Sequence, residues 1–145
     1  MCGIAGFFQT KYDFTVSRVS LNNKLLNMKK SIKHRGPDDD DVFMEGFVGF
    51  AHTRLSIRDI SGGHQPMTCK YNNRKATIVY NGEIYNTEDL RQRLIPYKPD
   101  LKTTGDTEII LYSYLIFGTS VFKDLNGIFA FAIYENDTMI IVRDH

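Results

Sequence analysis

The order of strand-forming and helix-forming segments constrains the fold of this chain more than any other feature. Apolar, aromatic and β-branched runs that predict strands occur at the beginning, in the middle and near the end of the 145 residues. The predicted strands span residues 4–8, 42–44, 47–53, 76–80 with 83–85, 128–135 and 139–142. Helical segments lie between them without a regular β-α-β alternation. The chain therefore predicts a layered α+β fold, and its length suits one domain.

Three helices are predicted, over residues 17–33, 86–94 and 105–117. In the first, Leu21, Leu25, Met28 and Ile32 recur at spacings of four, three and four residues, which places them on one core-facing side. Asn86 stands where an N-cap of the second helix is expected. The third helix is expected to end at Gly118, because glycine is favoured just beyond a helix C-terminus.

Two stretches predict turns or loops. The Asn81-Gly82 dipeptide is typical of a hairpin turn. Gly36-Pro37 ends the first helix, and the run Asp38 to Asp41 that follows predicts a solvated loop. This run lacks the alternating ligands, central glycine and distal glutamate of an EF-hand loop, so no metal site is expected.

Composition excludes several classes of function. The net charge is +1, from 18 basic and 17 acidic residues, so no basic surface for nucleic acid or an anionic membrane is expected. No apolar run approaches the roughly 20 residues that span a bilayer, and the first residues do not form a signal peptide. Cys2 and Cys69 form neither a disulfide framework nor a metal quartet. A cytoplasmic, reduced protein is expected, in which Cys69 is a structural residue.

Cys2 is the residue with the most reactive potential. If Met1 is removed, Cys2 carries a thiol and a free α-amine on one residue. A cysteine needs a nearby base to become a good nucleophile, and an α-amine with a pKa of about 7.7–8.0 can serve as that base. The predicted strand over residues 4–8 would hold Cys2 at one end of a sheet.

Cleavage of a carboxamide places further demands on the chain. The tetrahedral intermediate needs hydrogen-bond donors, and the Asn81-Gly82 pair offers a side-chain amide and a backbone N–H. An amino-acid substrate also needs its carboxylate held, for which Arg54 is a candidate, and its ammonium group held, for which Glu83 and Asp106 are candidates. Taken singly, each of these residues is also explained by a structural role, as part of a turn, as a surface or edge charge, or as a helix cap.

Taken together, the segments are similar to one known family. Seven motifs occur in register, at residues 1–6, 34–39, 54–57, 63–67, 80–86, 105–108 and 125–132. In this order they resemble the class II glutamine amidotransferase domain, which has an N-terminal-nucleophile hydrolase fold. The Pro-Asp-Asp after His34-Arg35-Gly36 resembles the branch formed by the glutaminase half of glutamine-hydrolysing asparagine synthetases.

The resemblance implies a fold and a mechanism. The fold would be an αββα sandwich with mostly antiparallel sheets. Cys2 would be the nucleophile, with its α-amine as general base. Thiolate attack on the glutamine side-chain amide would release ammonia, and water would hydrolyse the γ-glutamyl thioester.

The resemblance also implies roles for the other candidates. The Asn81 side chain and the Gly82 backbone N–H would form the oxyanion hole. The segment from Arg54 to about Gln65 would order over bound glutamine. The residues that bind the substrate would be Arg54 at its α-carboxylate, Glu83 and Asp106 at its α-ammonium, and Leu55 and Ile57 beside it.

The chain departs from the family pattern in two places. An aspartate follows Pro37-Asp38-Asp39 where the family usually has glycine. The sequence stops at His145, before the segment that leads into an ATP-using synthetase domain. Residues 1–145 are therefore expected to form one C-terminally truncated glutamine amidotransferase domain without a cofactor. ATP and magnesium would belong to the missing synthetase domain, the expected partner besides L-glutamine; a homodimer stays open.

Two alternative functions stay open, and a third is disfavoured. The same glutaminase chemistry would serve another acceptor, such as a sugar in polysaccharide synthesis. A catalytically silent paralogue would act as a structural module, although it would not need Cys2, Arg54, Asn81 and Asp106. A cysteine protease with a Cys–His pair is disfavoured, because none of the histidines lies in a motif typical of such enzymes.

Overall fold

Two antiparallel sheets form the centre of the molecule. The computed structural model describes residues 2–9, 17–46, 48–56 and 62–145. The first sheet has the strand order β1-β3-β2, with β1 at Gly3–Phe8, β2 at Asp39–Glu45 and β3 at Val48–Arg54. The second has the order β4-β5-β6-β7, with β4 at Met67–Tyr71, β5 at Arg74–Ile84, β6 at Gly127–Glu135 and β7 at Thr138–Arg143.

In the described residues, three α-helices lie on the outer side of the sheets. Helix α1, Arg18–Ser31, packs on the first sheet, and α3, Asp106–Phe117, packs on β4 and β5 of the second. Helix α2, Thr87–Leu94, packs on α3. Short 3-10 helices lie at Lys33–Arg35, Ile95–Tyr97 and Gly118–Asp124. None of the helices in the described part of the chain is long and apolar enough to cross a bilayer.

Buried side chains between the layers explain this stacking. Val48 and Phe50 of β3 pack with Val79 of β5 and Tyr134 of β6, so the inner faces of the two sheets meet. A larger cluster joins the second sheet to α2 and α3, where helix α3 is buried along most of its length. The layer order is helix, sheet, sheet, helix, and the predicted αββα sandwich is confirmed.

Most predicted elements are present with small shifts in their ends. Ser17 caps α1, its hydroxyl accepting the Ser20 N–H at 3.1 Å, and Leu25 is fully buried on the predicted face. Helix α3 ends at Gly118 as expected. Asn86 occupies the predicted N-cap position of α2, but its side chain makes no capping bond and instead bonds the backbone of Asp124 and Asn126. Strand β4 was not predicted.

The predicted hairpin turn at Asn81-Gly82 is wrong. Both residues lie inside β5, where Asn81 pairs with Ala130 and Gly82 with Phe129 of β6. Gly82 has φ +156, and a Cβ there would lie 2.3 Å from the Ile128 carbonyl oxygen. The glycine therefore permits the close approach of two strands, and pairing with β6 overrides the local turn preference.

The predicted solvated loop over the acidic run is also wrong. Asp39 to Asp41 form the first residues of β2, paired with β3. The carboxylate of Asp40 forms ion pairs with Lys29 and Lys33 of the neighbouring helical segment. These two hydrogen-bonded ammonium groups hold the pKa of Asp40 below its usual value. Partners from another element thus allow an acidic run to form a strand.

A polar network fastens one end of the second sheet to α3. Arg74, the first residue of β5, donates to both carboxylate oxygens of Glu135 on β6, at 2.7 and 2.6 Å. Tyr114 donates to the same carboxylate at 2.6 Å, and Arg74 Nη1 donates to the Leu115 carbonyl at 2.6 Å near the C-terminus of α3. Hydrogen bonds from Arg74 hold the pKa of Glu135 below its usual value. A bidentate pair of this kind joins three elements at once.

Candidate active site

The register of the first sheet places Cys2 beside the end of β3. Because β1 and β3 are antiparallel, Gly3 pairs with Thr53, and Cys2 lies next to the residues that follow β3. The Cys2 thiol is half-buried and points to the Leu55 carbonyl oxygen, with an Sγ–O distance of 3.9 Å. The Cys2 carbonyl accepts a bond from Arg35 Nε at 3.3 Å. Backbone pairing on one side and Arg35 on the other fix the position of Cys2.

The last residues of β5 bring Asn81, Gly82 and Glu83 to the same end of the molecule. These three residues pair with β6 through Ala130, Phe129 and Ile128, so their backbone is held in an extended conformation. The Asn81 Oδ1 atom is buried and makes no hydrogen bond with any residue that the structure describes. This side-chain oxygen therefore takes no part in the hydrogen bonds that hold the described residues around it.

Asp106 is placed by both its helix and the strand β5. It is the first residue of α3, where a carboxylate is favoured by the helix dipole. Its Oδ2 accepts hydrogen bonds from the Tyr80 hydroxyl at 2.6 Å and from the Ile84 N–H at 3.1 Å. Burial, reinforced by Asp106, raises the pKa of Tyr80, so its hydroxyl stays protonated and serves as a donor.

The loop before Asp106 is held by a buried glutamate. Glu108 is 3% exposed, and its carboxylate accepts the backbone N–H of Lys102 at 3.0 Å and that of Thr103 at 2.8 Å. The Thr103 hydroxyl donates to the same carboxylate at 3.0 Å. These bonds shape the turn that carries Thr104 and Asp106 to the cavity described next.

A single cavity of about 730 Å³ unites these positions. Its lining includes most of the residues that the sequence singled out: Cys2, Arg54, Leu55, Asn81, Gly82, Glu83 and Asp106. Ile57 lies outside the described residues, as does much of the segment from Arg54 to Gln65. The lining comes from Cys2 just before β1, the ends of β3 and β5, helix α2 and the start of α3. The structure thus brings distant candidates together, while their individual roles stay predictions.

The acidic run contacts residues that flank part of this cavity. The Asp38 carboxylate accepts the Ser56 N–H at 2.7 Å. His64 places its Nδ1 2.7 Å from Asp39 Oδ2 and its Nε2 3.1 Å from Asp41 Oδ2. The hydrogen bond to Asp39, assisted by Asp41, raises the pKa of His64. The run therefore fastens the chain just after β3 and just before β4.

This arrangement predicts a pH dependence. Asp39→Asn is expected to lower the pKa of His64, measured by an NMR titration of the imidazole, because the principal acceptor loses its charge. In the native protein the pair stabilises the fold fully below pH about 6.5, the unfolded-state value, and this contribution is lost as pH rises through the higher folded pKa.

Asp41→Asn is the matched control and should lower the pKa of His64 by less, since its bond is longer. Denaturant unfolding at several pH values should show a weaker pH dependence for Asp39→Asn than for the native chain. A His64 pKa that is unchanged in Asp39→Asn would contradict the assignment.

Two residues that hold the backbone of Tyr80 beside the cavity were not singled out by sequence reasoning. Gln65, 4% exposed, accepts the Tyr80 N–H through Oε1 at 2.7 Å. His52 is fully buried on β3, and its Nε2 lies 3.2 Å from the Tyr80 carbonyl oxygen. A histidine inside an otherwise apolar strand segment was the one signal available, since a buried imidazole needs a hydrogen-bond partner.

Over residues 2–9, 17–46, 48–56 and 62–145, no group of three or more histidine, cysteine, aspartate or glutamate side chains is arranged to hold a metal ion. The carboxylates of the acidic run are instead engaged with Lys29, Lys33, His64 and the Ser56 backbone.

Comparisons with solved structures agree with this fold. A glutamine phosphoribosylpyrophosphate amidotransferase from Bacillus subtilis superposes with a TM-score of 0.57 at 23% identity, covering 70% of this chain and 24% of that one. A structure described as the allosteric regulatory enzyme of purine biosynthesis gives a TM-score of 0.56 at 24% identity, covering 70% of this chain and 24% of its own. The chain thus shares the fold of these two proteins over the matched part.

Sequence comparison gives the family. The model of the glutamine amidotransferase domain matches residues 1–145, and the chain belongs to this family. Asparagine synthetase [glutamine-hydrolyzing] 3 of Bacillus subtilis is 44% identical over 135 residues, which cover 93% of this chain and 21% of that protein. Asparagine synthetase B [glutamine-hydrolyzing] of Escherichia coli is 39% identical over 148 residues, covering 100% of this chain and 25% of that protein. The chain spans about a fifth to a quarter of the length of these relatives.

Proposed function

We propose that this chain hydrolyses the side-chain amide of L-glutamine to glutamate and ammonia through a γ-glutamyl thioester on Cys2. The observation that carries the proposal is the single cavity lined by Cys2, Arg54, Asn81, Gly82 and Asp106. A nucleophile, two oxyanion donors and oppositely charged substrate partners are what amide hydrolysis of an amino acid requires.

The proposed reaction begins with proton transfer inside Cys2. After removal of Met1, the neutral α-amine takes the thiol proton, and the thiolate attacks the amide carbon of glutamine. The oxygen of that amide becomes negatively charged and accepts bonds from the Asn81 side-chain N–H and the Gly82 backbone N–H. Collapse of the intermediate breaks the C–N bond, and the α-ammonium returns its proton to the departing ammonia.

The second half of the reaction repeats this chemistry with water. The α-amine takes a proton from water, whose oxygen attacks the thioester carbon, and the same two donors at Asn81 and Gly82 stabilise the oxyanion. The C–S bond then breaks, the sulfur recovers a proton from the α-ammonium, and glutamate leaves. Cys2 returns to its starting state.

The substrate would be oriented by charged partners at both ends of its backbone. Arg54 is 7% exposed, so a carboxylate that it meets would be largely shielded from water. Glu83 and Asp106 would hold the α-ammonium, and the Tyr80 hydroxyl keeps the Asp106 carboxylate oriented. Leu55 would pack beside the substrate, and Ile57 is proposed for the same role by the resemblance alone.

These assignments predict weakened binding in two variants. Arg54→Lys keeps the charge but loses the bidentate fork, and Asp106→Asn removes the charge opposite the ammonium. The KM for glutamine is expected to rise about 10–100-fold in each, because hydrogen bonds to charged groups contribute about 1.5–3 kcal/mol. Steady-state glutaminase kinetics measure the change.

The exposed pair Arg93–Asp124, which lies away from the cavity, supplies matched controls. Arg93→Lys and Asp124→Asn make the same chemical changes and should leave KM close to the native value, since surface ion pairs contribute little. Native KM values in Arg54→Lys and Asp106→Asn together would show that the substrate pocket has been misplaced.

We further propose that the ammonia serves ATP-dependent asparagine synthesis in the full-length protein. The names of the longer relatives support this acceptor over a sugar, and the synthetase region of that protein would be the partner that uses ATP and magnesium. No residue of the present chain is assigned to either. Cytosolic conditions would keep the Cys2 thiol reduced and reactive.

The deciding experiment is an assay of the purified chain with L-glutamine. Glutamate and ammonia should form in equal amounts, and alkylation of the Cys2 thiol should abolish the formation of both. A chain that binds glutamine but releases no ammonia would instead be a catalytically silent paralogue.

A further inference from the structure

The backbone of Tyr80 occupies a point where the second sheet is incomplete. Strand β4 pairs with β5 only as far as the Met67–Ile78 pair, so it ends before Tyr80. Tyr80 is 3% exposed, and its backbone N–H and C=O therefore need partners other than water. The next residue along β5 is Asn81, one of the two residues proposed to stabilise the oxyanion.

Two side chains take the place of the missing strand. Gln65 accepts the Tyr80 N–H at 2.7 Å, and its own Nε2 donates to the Thr107 hydroxyl of α3 at 3.4 Å. His52, reaching across from the first sheet, places Nε2 3.2 Å from the Tyr80 carbonyl oxygen. Since a carbonyl oxygen only accepts, the His52 imidazole must carry its proton on Nε2. Gln65 thus holds the peptide group before the Tyr80 Cα atom, and His52 holds the peptide group after it.

Packing alone does not explain the presence of His52, because burying its imidazole destabilises the fold. Burial lowers its pKa to about 4, so the imidazole is neutral at physiological pH. Its Nδ1 is buried and has no hydrogen-bond partner among the residues that the structure describes. A buried acceptor without a partner destabilises the fold, and an apolar side chain would avoid this. The benefit of a histidine at this position must therefore lie in the bond from Nε2 to Tyr80.

We propose that His52 and Gln65 are positioning residues that fix the two peptide groups on either side of the Tyr80 Cα atom, His52 the Tyr80–Asn81 group and Gln65 the Val79–Tyr80 group, and thereby aim the oxyanion donors of Asn81 and Gly82. This inference rests on the proposed glutaminase function. The carbonyl that His52 holds and the N–H of Asn81 belong to the same peptide plane, so tilting one tilts the other. A displacement of about 1 Å at a catalytic group can lower a rate about 10²-fold.

The test compares two substitutions of one residue. His52→Leu removes the donor, whereas His52→Gln keeps an amide nitrogen at the same number of bonds from Cβ. In His52→Leu, kcat for glutamine hydrolysis is expected to fall about 10–100-fold, while KM changes less than about 3-fold. His52→Gln should recover most of the lost kcat. Gln65→Met, which removes the acceptor for the Tyr80 N–H, should behave like His52→Leu.

Thr77→Val is the matched control. Thr77 lies on the same strand, is 1% exposed, and loses a comparable polar contact, its 2.8 Å bond to the Thr68 hydroxyl. It should alter stability but not kcat. Native kcat values in folded His52→Leu and Gln65→Met, or an equal loss of kcat in Thr77→Val, would overturn the proposal.

A second readout separates this inference from the proposed function. The backbone and side-chain amide resonances of Asn81 are recorded by NMR in the native chain and in the His52 variants. Positioning predicts that they shift in His52→Leu and return in His52→Gln. If the native chain shows no glutaminase activity, the proposed function fails, while the positioning inference is judged by these resonances; unchanged resonances in both variants overturn it.

Discussion

A chain in which Cys2 is not the first residue is expected to hydrolyse glutamine at least about 10²–10⁴-fold more slowly, although its thiol is intact. The proposed base is the α-amine of Cys2, and an amide nitrogen at that position cannot accept a proton at neutral pH. The loss of a general base is expected to have this magnitude. The comparison needs two preparations that differ only at the N-terminus.

The sharpest design uses a cleavable N-terminal extension. The extended protein and the protein cleaved to begin with Cys2 have the same remaining sequence, and intact-protein mass identifies each form. Cys2→Ala with the same cleaved N-terminus removes the thiol instead of the base, and its activity should fall to the uncatalysed background. Full activity in the extended form would exclude the α-amine as the base.

Asn81→Ala is expected to lower kcat about 10²–10³-fold with little change in glutamine affinity. The side-chain amide of Asn81 is proposed to donate to an oxygen that becomes charged only when the thiolate adds, so its loss acts mainly on the transition state. The groups proposed to hold the ends of the substrate, Arg54 and Asp106, are unchanged. Steady-state kinetics and calorimetric binding of glutamine to a Cys2→Ala background measure the two effects separately.

The structure removes one ambiguity from this experiment. Asn81 lies in a paired strand and not in a turn, and alanine is compatible with that backbone, so a collapsed hairpin would not explain a loss of activity. Asn81→Asp keeps the shape but brings a negative charge to the oxyanion, and it should be at least as impaired as Asn81→Ala. Native turnover in both variants, with melting temperatures near the native value, would contradict the oxyanion assignment.

Local patterns in the sequence predicted most of the fold. Helix α3 was predicted over residues 105–117 with its end at Gly118, and the last two strands were predicted over residues 128–135 and 139–142. These strands form the β6–β7 hairpin, with positive φ at Asn136 and Asp137 between them. These signals are contained in short windows of the chain. The layered α+β class followed from the order of such elements.

The errors occurred where distant partners decide the conformation. Asn81-Gly82 has the composition of a turn, but pairing with β6 makes it strand, and the turn before β5 falls instead at Asn72, with φ 52. The acidic run forms part of β2 because its charges meet Lys29, Lys33 and His64. Ala130 of β6 and His64 lie far along the chain from Asn81 and Asp39, and Lys29 and Lys33 belong to a separate helical segment whose packing the local pattern does not show.

The candidate site shows the same division. Cys2, Arg54, Asn81, Gly82, Glu83 and Asp106 were proposed from residue chemistry and family resemblance, and the fold gathers them around one cavity. Gln65 and His52 were missed because their partner is a backbone group of Tyr80, which no side-chain motif reveals. Residues that act through another residue leave little trace in a single sequence.

Strand β5 holds residues that stabilise the fold at one end and residues proposed to act in catalysis near the other. Its first residue, Arg74, belongs to the network with Glu135 and Tyr114, while Asn81 and Gly82 line the cavity near its other end. Seven residues of extended strand place these two regions about 20 Å or more apart. Substitutions at such distances usually have additive effects on folding free energy. Substitutions at one end of this strand can therefore change the stability of the domain, and substitutions near the other end can change the rate of the proposed reaction. Natural variation or engineering can alter each property separately.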